Sequence, residues 1–198
     1  MFAGPAIAQS GPSGPSAGSA ATVQYDVELN VAPRCGWASG GQPAARVDLG
    51  SLDIAGSKDV PFALDCNTPF VIRVSSLNGG LVNDGTSSID FPTSFTDLVN
   101  YDLRMRLGVR RLNGDTDTRT RDCNSAQVWQ LVLAANCDFG GTAIGEGWSS
   151  NNAVANANDP GLPASRLRLS WSERTRGAPT RVAGSYSDVL TVSVEAQS

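Results

Sequence analysis

The chain has 198 residues, 40% of them hydrophobic and 17% charged, with 21 glycines, 11 prolines, four cysteines, no histidine and a formal net charge of −4. That length suits one domain with a tail rather than two full domains, and the glycine and proline content calls for many turns. Although 14 of the 15 cations are arginines, they are scattered or alternate with acids. The basic face of a nucleic-acid binder is missing, and no window approaches the roughly 20 apolar residues of a membrane helix. No nucleic-acid partner and no membrane span are therefore expected.

Met1 to Ala8 ends in Ala6-Ile7-Ala8, the small-x-small pattern read by signal peptidases. These residues are expected to be the remnant of a secretion signal whose start lies upstream. From Gln9 to Ala21 the chain is built of Gly, Pro, Ser and Ala, a composition with little apolar surface to bury. A flexible tail over residues 9–21 is the expectation.

Val23, Tyr25, Val27, Leu29 and Val31 then alternate without a break with polar residues, so a period of two puts all five on one face of an extended strand over 22–32. Two readings follow from the pattern. The strand opens its own sheet, or it is offered on the tail to another molecule. Pro33 cannot donate to a ladder and closes the run, so the domain proper is expected over residues 33–198.

Short strand-like runs recur between turn signals at Arg46 to Leu52, Lys58 to Asp65, Phe70 to Ser75, Asp102 to Val109, Val128 to Ala134, Arg166 to Trp171 and Asp188 to Glu195. Asn78-Gly79-Gly80 and Asn113-Gly114-Asp115 supply residues suited to tight hairpins. No amphipathic helix competes, and the coarse expectation is an antiparallel sandwich. From Asp138 to Pro163 the texture changes to Gly, Asn, Ala and Ser around Trp148, which reads as a long excursion, functional or decorative.

The closing run places Leu190, Val192, Val194 and Ala196 on one face, and the sequence ends shortly after it. A closing strand without a successor is expected to leave an open sheet edge, and strand addition to such an edge is an established recognition mode. The free strand near the start and the open edge at the end are complementary.

Catalytic signals are weak. Without histidine a serine or cysteine nucleophile lacks its commonest activating base, and four cysteines with no C-x-x-C pair make a zinc site a poor fit. Disulfides and an oxidising compartment suit them better. Asp115, Asp117 and Asp122 form an acidic cluster whose spacing matches no calcium loop, and nothing selects a carboxylate pair for glycosidase chemistry. Among the tryptophans, Trp129 and Trp171 sit in strand patterns and are expected in the core, leaving Trp148 as the residue for a sugar platform. No catalytic residue, metal ligand or cofactor is expected.

Cys35 after the alternating strand, Phe62-Ala63-Leu64-Asp65-Cys66-Asn67-Thr68-Pro69-Phe70-Val71-Ile72, Tyr101-Asp102-Leu103, and the closing Gly184-Ser185-Tyr186-Ser187-Asp188 before Val189 to Val194 resemble the spore coat protein U family. That family includes the pilins of archaic, Csu-type chaperone–usher pili, and the resemblance runs over about residues 22–196. It implies an all-β fold, an incomplete immunoglobulin-like antiparallel sandwich completed by a donor strand from a neighbouring subunit. It further implies that the face Val23, Tyr25, Val27, Leu29 and Val31 is donated and that Leu190, Val192 and Val194 mark the accepting edge. The pairing Cys35–Cys66 follows from the resemblance, and Cys123–Cys137 from proximity. Family members often end the closing strand on an aromatic residue, whereas this sequence runs Glu195-Ala196-Gln197-Ser198.

The function so implied is that of a structural, non-catalytic pilin subunit. Its expected partners are identical or related subunits, a periplasmic chaperone and an outer-membrane usher, and its place is the periplasm in transit and then a cell-surface fimbrium serving adhesion or biofilm formation. The rival expectation is a lectin-like or adhesive tip module that binds a surface or glycan through the 138–163 loop.

Overall fold

The computed structural model describes residues 28–85, 92–130, 137–142 and 146–197. The expected signal remnant, the tail, and Val23, Tyr25 and Val27 of the alternating run lie outside the described residues. The chain divides into two units, residues 1–31 and 32–198. In the first, Glu28 to Val31 belong to no strand, and Leu29 is 88% and Val31 65% exposed.

The second unit is all-β. In chain order its strands are β1 (Cys35–Trp37), β2 (Gly56–Phe62), β3 (Leu64–Cys66), β4 (Phe70–Ser76), β5 (Leu81–Asn83), β6 (Phe95–Thr96), β7 (Leu98–Val99), β8 (Asp102–Arg111) and β9 (Thr116–Asn124). A 3-10 turn over Ser125–Val128 follows, then β10 (Trp148–Ser149), β11 (Ala153–Asn156), β12 (Ser165–Trp171), β13 (Thr180–Arg181), β14 (Tyr186–Ser187) and β15 (Leu190–Ala196).

The larger sheet runs β1-β3-β11-β8-β12-β2, with β9 on the other flank of β8; opposite it stand β10-β4-β15 and β14-β5-β7. Among the described residues all pairings between these strands are antiparallel except the short β6–β13 contact. Alternation explains the layers: Leu103, Met105, Leu107 and Val109 of β8 turn inward with Leu167, Leu169 and Trp171 of β12, and Phe70, Ile72 and Val74 of β4 join them in one core. Each such side chain, taken fully out of water, contributes about 1.5–3 kcal/mol. The result is an antiparallel sandwich of immunoglobulin-like type.

Local chemistry places the turns. Gly114, at φ +94°, closes the β8–β9 hairpin, as the Asn-Gly-Asp signal predicts. Beyond β9, Asn124 accepts from Ala126 N at 3.0 Å while Gln127 Oε1 accepts from Asn124 N at 2.7 Å, a capping box that turns the chain out of the sheet. Gly108 is required for a different reason. A Cβ there would lie 1.9 Å from the Pro163 carbonyl oxygen, where the chain crosses between β11 and β12.

Several expectations are corrected. Arg46 to Leu52 forms no strand: Asp48 Oδ1 accepts from Gly50 N at 2.9 Å and Gly50 turns at φ +77°, although Val47, Leu49 and Leu52 still pack on the core. Lys58 to Asp65 is two strands, β2 and β3, in different parts of the sheet. The described part of Val128 to Ala134 is the end of the 3-10 turn and an isolated bridge at Trp129, not a strand. Asn78-Gly79-Gly80 does turn, with Gly79 at φ +73°, but it links strands of different sheets rather than a hairpin.

The 138–163 segment is not a free excursion in its described part. Phe139 is fully buried, Trp148 enters β10 opposite Ile72, and β11 joins β3 to β8. Trp148 packs edge-on to Phe70 with ring centroids 6.2 Å apart, so it is a core-flanking residue rather than a presented platform. Trp171 is buried as expected, its Nε1 donating to Ile54 O at 2.9 Å. Trp129 is not: it is 37% exposed and caps Gly79, its Nε1 donating to Leu77 O at 3.0 Å.

Both expected disulfides are present. Cys35 and Cys66 face each other in the β1–β3 register, and Cys123 at the end of β9 joins Cys137. Among the described residues no helix is long and apolar enough to cross a membrane. Two disulfides are compatible with a secreted or extracellular protein.

Candidate functional site: the edge of the closing strand

Strand β15 pairs with β4 along its whole length, from Leu190 opposite Ser76 to Ala196 opposite Phe70. Among the described residues nothing pairs with its other edge. Leu190, Val192 and Val194 occupy alternate positions and point to the core, yet all three are only partly buried, whereas Val74 and Ile72, the register partners of Val192 and Val194, are fully buried. Strand β1 comes within 8 Å of β15, Cα to Cα, without ladder pairing, and its Cys35 and Trp37 are likewise only partly covered. Half-covered apolar side chains and a row of backbone groups that no described residue pairs therefore coincide along one seam.

The paired side of β15 is firmly held. On the face opposite the core, Arg73 of β4, 6% exposed, bonds Glu195 and reaches Ser193 Oγ at 3.4 Å. The segment at Gly147 covers Arg73 so closely that a Cβ there would lie 2.3 Å from Arg73 Cγ. Past the strand, Gln197 N donates to Pro69 O at 2.7 Å and Ser149 Oγ to Gln197 Oε1 at 2.7 Å.

The Gly184-x-Tyr186-x-Asp188 sequence sets the entry to this strand. Gly184 sits at φ +152°, and a Cβ there would lie 2.5 Å from the side chain of Asn83. Asn83 is buried and donates to the carbonyls of Val182 and Ala183, both at 3.3 Å. Tyr186 closes the same bend through its hydroxyl, which donates to Val182 O at 2.6 Å. Asp188 collects four donors: the Tyr101 hydroxyl at 2.6 Å, Ser76 Oγ at 2.6 Å, Val189 N at 2.8 Å and Asn78 N at 3.1 Å. Burial, with Asp188 beside it, pushes the Tyr101 phenol far above its ordinary range, so Tyr101 is a permanent donor.

Of the residues singled out from sequence, Leu190, Val192 and Val194 lie together on this edge, with Cys35 and Cys66 on the adjoining strands. The pair Cys123–Cys137 lies at the end of β9. Asp115, Asp117 and Asp122 are not brought together: Asp117 and Asp122, five residues apart on β9, fall on opposite faces, and they pair with Arg111 and Arg104 respectively. Sequence reasoning missed the Tyr101–Asp188–Ser76 knot. Its signal was an acid placed directly before an apolar run, where a strand start needs a fixed partner.

No family model matches this chain, and no curated protein matches it. Fold and edge define an all-β antiparallel sandwich, stapled by two disulfides, whose closing strand is bonded on one side only among the described residues.

Proposed function

We propose that the protein is a structural subunit of the spore coat protein U type, an archaic chaperone–usher pilin, that polymerises by donor-strand exchange into a surface fibre and carries out no catalysis. The observation that supports this reading is the edge of β15 left unpaired among the described residues, with Leu190, Val192 and Val194 half covered beside it. A strand laid on that edge would take up the unpaired backbone groups and cover those side chains, with β1 alongside. The alternating run from Val23 to Val31 has the matching period, and the same run on the next subunit would be the donor.

Magnitudes favour the exchange. Five apolar side chains at about 1.5–3 kcal/mol each give a gross stabilisation of about 7–15 kcal/mol, from which the ordering of the strand must be subtracted. Before assembly, a periplasmic chaperone would occupy the same edge and an outer-membrane usher would exchange it for the donor strand. Against the adhesive-tip alternative through residues 138–163 stands the packing of Trp148 against Phe70.

Electrophoresis of unboiled periplasmic protein tests the proposal. A ladder of multimers that collapses on boiling is expected, and Val27→Asp, which places a charge in the middle of the donated face, should abolish the ladder while the monomer remains folded. A single monomer band from the native chain would refute polymerisation.

A further inference from the structure

Four arginines rise from the outward face of the larger sheet. Arg104 and Arg106 of β8 stand directly opposite Arg168 and Arg166 of β12 in the antiparallel register. Cross-strand partners have Cβ atoms about 4.5–5.5 Å apart, and same-face neighbours along a strand are about 7 Å apart. Like charges so placed repel, and a ladder that carries them is weakened.

Acids relieve one end of this block. Asp59 accepts from Arg168 at 2.6 and 2.8 Å and lies 3.4 Å from Arg166, while Asp122 pairs with Arg104. Asp102, the next outward residue at that end, accepts from Asn124 at 3.2 Å. These contacts raise the pKa values of Arg104, through Asp122, and of Arg168, through Asp59, while Arg168 opposes the rise at Arg104. At the other end Arg110 is held by Asp159 at 2.6 Å. Between them Arg106, half-buried, is bonded to no acid among the described residues, and Arg166 shares Asp59 with Arg168, at 3.4 Å.

A depression of about 310 Å³ opens there, lined by Arg104, Arg106, Arg166, Arg168, Thr118 and Thr120: four cations, two hydroxyls and no carboxylate. Planar guanidinium forks converging with hydroxyl donors suit a tetrahedral oxyanion, which they grip through paired charge-assisted hydrogen bonds. We propose that this depression binds a sulfate or phosphate group, centred on Arg106 and Arg166. The site is independent of the β15 edge. In a fibre it would repeat with every subunit, so an anionic polymer bearing such groups would be held at many points.

Titration of the full chain with inorganic sulfate, with dextran sulfate and with neutral dextran tests this, followed by fluorescence or calorimetry. Arg106→Gln combined with Arg166→Gln should weaken sulfate-group binding at least tenfold, whereas Arg46→Gln with Arg176→Gln, an equal loss of charge at exposed positions elsewhere, should change it less than twofold. The first variant should unfold at the same temperature as the native chain or higher, because repulsion is relieved, and Arg106→Gln alone provides a milder second variant. Dependence on Arg106 and Arg166 for both inorganic sulfate and polymer means that one group fills the site. The same dependence for dextran sulfate only means that linked groups are needed, and it upholds the proposal equally. Absence of binding to either probe, binding of neutral dextran to the same degree, or equal losses in the two double variants would overturn it.

Discussion

Tyr101 donates its hydroxyl proton to Asp188 across 2.6 Å, which ties the residue just before β8 to the residue that leads into β15. The bond is buried on the Tyr101 side, and Ser76 donates to the same carboxylate oxygen. The hydrogen bonds that fix Asp188 set where the closing strand starts, and hence which of its side chains face the seam.

Tyr101→Phe removes the bond and keeps the ring. A hydrogen bond to a charged group contributes about 1.5–3 kcal/mol, and a loss of that size in urea unfolding is the expected outcome. The pH dependence has a definite sign. The folded-state pKa of Tyr101 is raised above its unfolded value of 10.0, so its stabilisation is complete below that pH and declines above it, as the unfolded chain releases a proton that the native state retains. Native protein should therefore lose stability between about pH 10 and 12 more steeply than Tyr101→Phe, when both are followed by denaturant midpoint.

Gly108→Ala should be among the most damaging small substitutions in the chain. The added Cβ would meet the backbone oxygen of Pro163 at 1.9 Å, and backbone cannot swing aside as a side chain can. Overpacking of this kind costs about 1–3 kcal/mol or more, read as a fall in the thermal midpoint. Gly114→Ala is the control: its Cβ meets nothing within 4 Å, so only the strain of φ +94° is felt.

Removing Cys123 and Cys137 together, as Cys123→Ser with Cys137→Ser, frees a crosslink with a sequence separation of 14. Chain entropy for a loop of that size predicts a loss of about 3 kcal/mol, and the Cys35–Cys66 pair, with its separation of 31, a loss of about 3–4 kcal/mol. Equilibrium unfolding of the two double variants under non-reducing conditions checks both values.

The strands that sequence reveals are those with one apolar face: β4, β8, β12 and β15 all show period-two alternation because one side of each meets the core. Strand β9 escapes such reading. Its sequence, Thr116 to Asn124, has only Cys123 as an apolar residue, and it is held by its ladder with β8 and by arginine–aspartate pairs rather than by burial. Conversely, Val47, Leu49 and Leu52 carry an apolar rhythm and reach the core from an irregular segment, so pattern there reported packing without a ladder. The apolar face of the closing strand was legible as Leu190, Val192 and Val194, but its polar anchors were not. Ser76 and Asn83, on neighbouring strands, and Tyr101 and Asp188 come from three separate parts of the chain, and only the folded register brings them together. The arginine block was invisible for the same reason: scattered along the sequence, it exists only once β8 and β12 are paired.

The open edge of β15 is tested most directly by filling it from within the same molecule. A version of the chain without residues 1–31, and a second with Thr22 to Ala32 re-attached after Ser198 through a flexible turn, are compared by thermal unfolding in one buffer. A tethered strand acts at high effective concentration, so the second version should be monomeric, should no longer polymerise and should unfold at a much higher temperature than the first, whose Leu190, Val192 and Val194 stay half exposed to water. Equal midpoints for the two versions would contradict the account, because they would mean that no groove beside β15 waits to be filled.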